Sequence, residues 1–369
     1  MNVQLQGNEQ ITKLFNDWYL AMLKRDVSQA TNLRNDAKKL TNVLKNENIS
    51  ELQTQDLLLY YSLLDFKYKV LTDDTNISTD DFETIESHYR EGLDSKLEFY
   101  YYFFKAMHNT SLGNYIEAGE CFSSAEQLLQ YIHNEFEQAE FYYEFGALCY
   151  HIHQPLLTIK HVLKSKEIYI KHSSYAINQI ECDVTLGLAS ITLNQFEQAE
   201  EYFIKCLELA SKYKNERLAT LIRYNLGFLY AKQNLSDTAV RYLTEVYQEE
   251  EKPFHKTLFL LAQEHFKLNQ IKEANVFLEE GIKLADIEYK HHFRIIQAIY
   301  DVNHREGLET TITNGVEYFK EQQLYGFIEE YVGYLAKHFY NLGDATKASK
   351  YFNISYDAKQ ALTKRSALK

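Results

Sequence analysis

The sequence has few of the residues on which turns and β-rich folds depend, with two prolines and thirteen glycines among 369 residues. An all-β protein, or a chain with long flexible linkers, needs many more of both, so the composition favours helices throughout. The sequence also lacks any run approaching the ~18 uninterrupted apolar residues of a membrane span. Its start, MNVQLQGNEQ, lacks the basic-then-apolar pattern of a signal peptide. We therefore expect a cytoplasmic protein that does not bind membranes.

The sequence also lacks a net positive charge and closely spaced pairs of cysteines. The formal net charge of -13 provides no positive field for phosphates, which argues against nucleic acid as a direct partner and favours cationic ligands. His151 and His153 point about 200° apart on a helix and have no further ligand at usable spacing, so they predict no metal site. The cysteines show no CxxC spacing, which indicates a reduced compartment and free thiols; they are Cys121, Cys149, Cys182 and Cys206.

What the sequence does have is a small residue that recurs along its C-terminal two-thirds. The steps are 40, 41, 40, 35, 36 and 38 residues, and the positions are Ala106, Gly146, Gly187, Gly227, Ala262, Ala298 and Ala336. A second small or short residue follows each one twelve positions later, at Ala118, Thr158, Ala199, Ala239, Ala274, Thr310 and Ala348. A repeating helix pair needs small side chains where its helices cross, so the pattern predicts a stack of helical hairpins.

Large apolar residues stand four positions after most of the second small residues, where we expect them to fill the space to the next pair: Phe122, Val162, Phe203, Leu243, Leu278 and Phe352. Around Gly187 and Gly227 the sequence resembles tetratricopeptide (TPR) repeats. The predicted fold is therefore all-α, with a right-handed superhelical TPR solenoid of about seven helix pairs over residues 97–369. The function of such a solenoid usually lies in its concave groove.

Three amphipathic helices precede the repeats and predict a three-helix bundle over residues 1–72. The third helix carries the run from Leu57 to Phe66, which is apolar on more than one face and so has to be covered by two neighbours. The segment from Asp73 to Asp81 is acidic and without periodicity, which is typical of a boundary. We assign residues 73–96 to an acidic linker and a connecting helix.

Several local motifs carry a resemblance to one family of regulators. They are QDLLLYY at residues 55–61, LEFYYYFFK at 97–105, AEF at 139–141, Trp18-Tyr19 in the first helix and Asn225 in the repeats. Together they make the chain similar to the Rap family of Bacillus response-regulator aspartate phosphatases. The similarity extends over nearly the whole chain, with the same order of three-helix bundle, linker and TPR repeats.

The resemblance implies a cytosolic regulator of a phosphorelay. Members of the family bind a response-regulator protein and either dephosphorylate its receiver domain or mask its DNA-binding domain. A short Phr-type signalling peptide bound in the TPR groove inhibits them. By position, Gln55 matches the family's catalytic glutamine. An aspartyl phosphate is labile and lies on the partner with its own Mg²⁺, so the enzyme needs only an amide that holds a water in line with phosphorus, and no cofactor of its own.

The predicted peptide site lies on the first helices of the repeats. Asn225 stands where the family uses an asparagine to hold the peptide backbone, a role that suits a carboxamide because it offers both a donor and an acceptor. Glu140 lies near the mouth of the predicted groove, where it could contact either peptide or partner. The predicted peptide-binding residues are Glu140, Tyr143, Tyr150, Tyr224, Asn225 and Phe228.

A non-catalytic role is the alternative. Gln53 and Thr54 stand directly before Gln55, where phosphatase members often carry acidic residues. This difference favours a protein that sequesters a response regulator or transcription factor and is released by peptide. A peptide-gated transcription factor is a third possibility, but the long second helix lacks the short glycine-containing turn and basic recognition helix of a helix-turn-helix.

Overall fold

The structure of the protein, a computed structural model, describes residues 9–44, 51–73, 77–249, 253–300 and 307–366. All regular structure within these ranges is helical, with eighteen α-helices, short 3-10 turns and no strand. None of the helices in these ranges is long and apolar enough to cross a membrane. The predicted all-α class is confirmed.

Four helices precede the repeats: α1 (Glu9–Leu23), α2 (Val27–Leu44), α3 (Glu51–Asp73) and the short α4 (Glu83–His88). The next fourteen form seven consecutive pairs, as the spacing of small residues predicts. The pairs are α5 (Ser95–Ser111) with α6 (Tyr115–Leu128), α7 (Glu135–His151) with α8 (Pro155–Tyr169), α9 (Ala176–Thr192) with α10 (Phe196–Lys212), α11 (Glu216–Lys232) with α12 (Ser236–Glu249), α13 (His255–Lys267) with α14 (Ile271–Leu284), α15 (Ile287–Tyr300) with α16 (Leu308–Glu321), and α17 (Tyr325–Asn341) with α18 (Ala345–Ser366).

The chain divides into two compact units. Unit 1 consists of Met1–Leu148 and His161–Cys182, and unit 2 of Cys149–Lys160 and Asp183–Lys369. Unit 1 therefore contains the helices before the repeats together with the first helices of the repeat array. The predicted domain boundaries at residues 72 and 96 both fall inside unit 1, and they stay a prediction.

Aromatic side chains form the core of unit 1 between α1, α3 and α5. The ring of Tyr19 meets the ring of Tyr100 edge-on at 5.7 Å, and Tyr60 stacks on the same Tyr100 at 6.3 Å. All three rings are buried, and burial raises the pKa of each phenol well above its usual value. Ring pairs of this kind stabilise beyond the area they bury. They hold the first and third helices against the opening helix of the repeats.

The chain between α3 and α5 includes a segment that we call the brace, Ser78–Arg90. Phe82 lies at its centre, with ring centroids 5.4 Å from Phe66 of α3 and 5.2 Å from His108 of α5. The Nε2 atom of His108 also lies 2.8 Å from the carbonyl oxygen of Ser78. The brace therefore contacts α3 and α5 together.

The turn inside each described pair has the same backbone geometry. A residue with φ between 56° and 80° follows the first small residue by seven positions, at Gly113, His153, Asn194, Asn234, Asn269 and Gly343. The N–H of the next residue bonds to the carbonyl five positions earlier at 2.8 to 3.0 Å, which ends the first helix in a Schellman motif. Glycine and asparagine adopt this left-handed conformation with the least strain. The equivalent position 305 of the remaining pair lies outside the described residues.

The glycines of the repeats mark close approaches between paired helices. A Cβ atom at Gly187 would lie 2.6 Å from the ring of Phe203, and one at Gly227 would lie 2.7 Å from Leu243. The large residue therefore packs on the small residue of its own pair, whereas the spacing predicted that it would fill the space to the next pair. Phe352 of α18 is 62 % exposed, because no further pair follows it among the described residues.

Candidate functional site

The candidate catalytic glutamine lies in the second turn of α3. Gln55 is half-buried, and its amide nitrogen lies 3.5 Å from the carbonyl oxygen of His88, the last residue of α4. Within the described ranges, the amide oxygen of Gln55 makes no hydrogen bond. A carboxamide in this state keeps an acceptor available for a water or a partner group.

The residue after Gln55 is tied to the end of the brace. Asp56 accepts hydrogen bonds from Arg90, with Nη2 at 2.9 Å from each carboxylate oxygen and Nε at 3.1 Å from Oδ1. The side chains are 17 % and 28 % exposed respectively. A guanidinium fork on a carboxylate is stronger and more directional than a single-point ion pair. The turn of α3 that carries Gln55 is therefore fixed to Arg90.

In this chain an acidic residue follows Gln55 directly and none stands at the two positions before it. Thr54, directly before Gln55, is half-buried, and the side chain of Gln53 lies outside the described residues. The carboxylate beside Gln55 is that of Asp56, and Arg90 occupies both of its oxygens. This acid is therefore engaged within unit 1.

A buried group of charged side chains connects distant helices of unit 1. We call it the ion network, and it consists of Arg25, Lys67, Glu140, Glu144 and Glu181. Glu140 accepts hydrogen bonds from Arg25 at 3.0 and 3.1 Å and from Lys67 at 2.5 Å. Arg25 also donates to Glu181 at 3.0 Å, and Lys67 to Glu144 at 3.4 Å. The network joins the α1–α2 turn and α3 to α7 and α9.

Glu140 is the centre of this network. Its side chain is 0 % exposed, against 3 % for Lys67 and 9 % for Arg25. Burial alone would raise the pKa of Glu140, but Arg25 and Lys67 outweigh it and lower that pKa to about 2. A buried charge that loses its partner is strongly destabilising. The two cations therefore depend on the Glu140 carboxylate.

This placement bears on the two predicted peptide-binding residues in unit 1. Glu140 was expected near the mouth of a groove, but both of its oxygens accept hydrogen bonds inside unit 1, including one from the Tyr169 hydroxyl at 2.9 Å. Tyr143, one turn further along α7, is half-buried, and burial raises the pKa of its phenol well above the usual value. The assignment of both residues to peptide binding stays a prediction.

The other four predicted peptide-binding residues belong to unit 2. Tyr150 lies at the end of α7, and Tyr224, Asn225 and Phe228 lie along α11. Asn225 is 3 % exposed, and its amide nitrogen has no hydrogen-bond partner among the residues that the structure describes. A buried donor without an acceptor costs free energy. Asn225 therefore has an unused donor that a carbonyl oxygen could satisfy.

Unit 2 also contains a cluster of histidine and aromatic rings that the sequence did not indicate. The Nδ1 atom of His292 lies 2.6 Å from the hydroxyl of Tyr331, and its ring lies 4.4 Å from that of Phe327 and 4.9 Å from that of Phe319. His153, in the turn after α7, meets Phe327 at 5.0 Å. His153 comes from the second helix pair and the other residues from the last two pairs, so no local pattern could have indicated the cluster.

Comparisons with known proteins agree with this architecture. The model for the N-terminal region of response regulator aspartate phosphatase H matches residues 6–73, and a tetratricopeptide repeat model matches residues 184–213. Response regulator aspartate phosphatase I of Bacillus subtilis (strain 168) is 25 % identical over 371 residues, which is 96 % of this chain and 92 % of that protein. The chain is thus similar to Rap proteins over nearly its whole length.

Solved structures of Rap proteins share its fold. A Rap protein complexed with Competence and Sporulation Factor aligns with a TM-score of 0.79 at 23 % identity, over 97 % of this chain and 99 % of that one. The Rap conjugation gene regulator of the plasmid pLS20, in complex with the Phr* peptide, aligns with a TM-score of 0.68 at 23 % identity, over 97 % of each chain. The Rap family model covers Gln55 and all of α1 and α2.

Proposed function

We propose that this chain is a phosphorelay regulator that binds a response regulator and hydrolyses the aspartyl phosphate of its receiver domain. The observation that supports this proposal most is the state of Gln55. Its carboxamide is half-buried, its nitrogen faces a backbone carbonyl, and its oxygen is available. The relative Response regulator aspartate phosphatase I carries the activity in its name, and the family model that contains Gln55 is likewise that of a phosphatase.

In this proposal Gln55 acts by orienting a water molecule. Its amide oxygen accepts one hydrogen of the water, whose oxygen attacks phosphorus while the bond from phosphorus to the partner's aspartate oxygen breaks. The products are inorganic phosphate, which takes the proton of the water, and the free carboxylate of the receiver. The Mg²⁺ ion belongs to the receiver, and this chain contributes no cofactor. Positioning is sufficient because phosphoryl transfer depends mainly on alignment and electrostatics.

The proposed inhibitor is a short Phr-type signalling peptide in the TPR groove, which would make the protein a quorum-sensing component of the cytoplasm. Two solved Rap structures are complexes with signalling factors or peptides. Asn225 supports this part of the proposal because its buried amide nitrogen lacks an acceptor among the described residues, which a peptide carbonyl would supply. Tyr150, Tyr224 and Phe228 are the aromatic residues that we propose to contact the peptide side chains.

The proposal is tested with a panel of receiver domains phosphorylated by acetyl phosphate. We expect the protein to accelerate loss of phosphate from at least one receiver, and Gln55→Ala to abolish the acceleration. Gln127→Ala, which removes an exposed glutamine of α6, is the matched control and should leave the rate unchanged. Loss no faster than spontaneous hydrolysis across the panel would remove the enzymatic function.

A non-catalytic sequestering protein is the second candidate function. It is favoured by Gln53 and Thr54 in place of acidic residues, and one structural neighbour is described as a gene regulator. In that case a response regulator or transcription factor would be retained on the immobilised protein with its phosphate intact, Gln55→Ala would bind equally well, and a short peptide would release the partner.

A further inference from the structure

The last three residues of the brace close against the start of α3. His88 directs its carbonyl oxygen toward the amide nitrogen of Gln55, and Arg90 forms the two-pronged ion pair with Asp56. Between them, the ring of Tyr89 stacks on Tyr101 of α5 with centroids 4.0 Å apart. One short stretch of chain thus contacts both Gln55 and its neighbour while it is itself anchored to a different helix.

We infer that Arg90 is a positioning residue for Gln55, which it orients through Asp56 and through the carbonyl of His88. The inference rests on the proposed function of Gln55 and adds how the carboxamide is held. Arg90 does not contact Gln55 itself. It holds the turn of α3 that carries Gln55 in one orientation. It also holds the backbone of His88, two residues earlier in the brace, close to that turn.

The chemistry of the carbonyl determines which way the carboxamide faces. A backbone carbonyl can only accept a hydrogen bond, so the NH₂ group of Gln55 must face His88 and the amide oxygen must face away. His88 ends α4, where carbonyl groups lack partners within their own helix, so its oxygen is available for this contact. Gln55 then presents the acceptor that a water hydrogen needs.

The length of this contact explains why Arg90 matters. At 3.5 Å the bond from Gln55 to His88 is at the outer limit of a hydrogen bond and weak. The ion pair, with contacts of 2.9 to 3.1 Å, is the strong interaction that keeps the two backbones together. Without it, a small separation of α3 from the brace would free the carboxamide to rotate. A misplacement of about 1 Å at a catalytic group can reduce the rate about 100-fold.

The experiment compares four variants of the full chain on the phosphorylated receiver that the wild type dephosphorylates fastest. Arg90→Gln and Asp56→Asn should each lower kcat about 10- to 100-fold with KM nearly unchanged. Arg90→Lys keeps the charge without the fork and should restore part of kcat. The control is Arg223→Gln in unit 2, which breaks an ion pair with Glu249 formed by an arginine of similar exposure, 22 % against 28 %, and should leave kcat unchanged.

The outcomes separate this inference from the proposed function. Loss of activity in Gln55→Ala together with normal kcat in Arg90→Gln would overturn the inference alone. A raised KM with normal kcat in Arg90→Gln would overturn it as well, because Arg90 would then be binding the partner. If Gln55→Ala retained full activity, the proposed catalytic role would fail and the inference with it.

A second measurement needs no phosphatase activity. In protein labelled with ¹⁵N-glutamine, the side-chain NH₂ signal that disappears in Gln55→Ala identifies Gln55. We expect this signal to shift in Arg90→Gln and Asp56→Asn and to stay in place in Arg223→Gln. An unchanged Gln55 signal in both of the first two variants would overturn the inference.

Discussion

Different kinds of contact stabilise the interior of unit 1 and the interior of unit 2. In unit 1 the ion network joins helices that are distant along the chain, and the contact between Arg25 and Glu140 spans 115 positions. In unit 2 the repeated contacts join the two helices of one pair, as where Phe203 packs on Gly187. The repeat pattern therefore specifies local pairs, whereas the N-terminal helices are joined to the repeats by buried aromatic rings and by a few individual charges.

The strongest way to test this comparison is to remove the centre of the ion network. Glu140→Ala should lower the free energy of unfolding by about 3–5 kcal/mol, because the buried Arg25 and Lys67 would lose the one carboxylate that they share. The measurement is chemical denaturation followed by the fluorescence of Trp18. Trp18 is the single tryptophan of the chain and is buried in unit 1.

The matched control in unit 2 is Glu264→Ala. Glu264 is also fully buried, and it accepts hydrogen bonds from Lys267 at 2.7 Å and from Ser236 at 2.6 Å. Lys267 is 23 % exposed and can turn toward water, so the expected loss, followed by circular dichroism, is smaller, about 1–3 kcal/mol. Equal losses in the two variants would contradict the distinction between the units.

As the pH falls, unit 2 should lose stability before unit 1 does. Burial lowers the pKa of His151, His153 and His255 from 6.5 to about 4. The folded state therefore binds fewer protons than the unfolded state between pH 6.5 and 4, and stability falls there by up to about 1.4 kcal/mol per pH unit for each histidine. Glu140, with its pKa lowered from 4.5 to about 2, contributes stability that is lost only below pH 4.5.

An acid titration followed by two signals checks this order. As the pH falls toward 4, helical circular dichroism should decrease while Trp18 emission, which reports on unit 1, stays constant. Below pH 4 the emission should change as well. A change in Trp18 emission that precedes or accompanies the first loss of helix would show that the histidines do not set the acid limit of unit 2.

A smaller effect is expected where a glycine of α14 packs on an aromatic ring of α15. A Cβ atom at Gly281 would lie 2.1 Å from the buried ring of Phe293, so Gly281→Ala should destabilise by roughly 1–3 kcal/mol through overpacking. Gly119→Ala in α6 is the control, because nothing lies within 4 Å of its Cβ position. That variant should stabilise by roughly 0.5–1 kcal/mol. Thermal unfolding of both variants should show shifts of opposite sign.

The smallest effect is expected from an ion pair on the surface of unit 1. The side chains of Lys171 and Glu135 lie 2.5 Å apart but are 53 % and 45 % exposed. Lys171→Ala should therefore change the free energy of unfolding by at most ~1 kcal/mol, and less at high salt. A loss comparable to that of Glu140→Ala would mean that burial does not decide the strength of ion pairs in this unit.

The sequence was sufficient to predict the repeat architecture. Small residues at Gly187 and Gly227 require close helix approach, and their spacing indicated seven pairs, which the structure contains. The left-handed turn residues follow the same spacing, although they did not contribute to the prediction. These features are local, so each is visible within one repeat.

The contacts of the candidate site could not be predicted in the same way. The proximity of Arg90 to Asp56 depends on how the brace folds back along α3, and the burial of Glu140 depends on cations 73 and 115 positions away. No periodicity carries such pairings, because they arise only when the helices are assembled. Gln55 itself was found through a resemblance, and its spacing alone carried no signal.

The α1–α2 turn limits how freely the sequence of this protein can change. Arg25 has a φ of 58° there, the same conformation that asparagine adopts at Asn194 and Asn234 in the repeat turns, and a glycine would relieve the backbone. Its guanidinium, however, is held by Glu140 and Glu181. A change to glycine would improve the turn but remove the guanidinium that both acids bind. A consensus-based stabilisation of this protein should therefore keep Arg25, although its positive φ alone favours glycine.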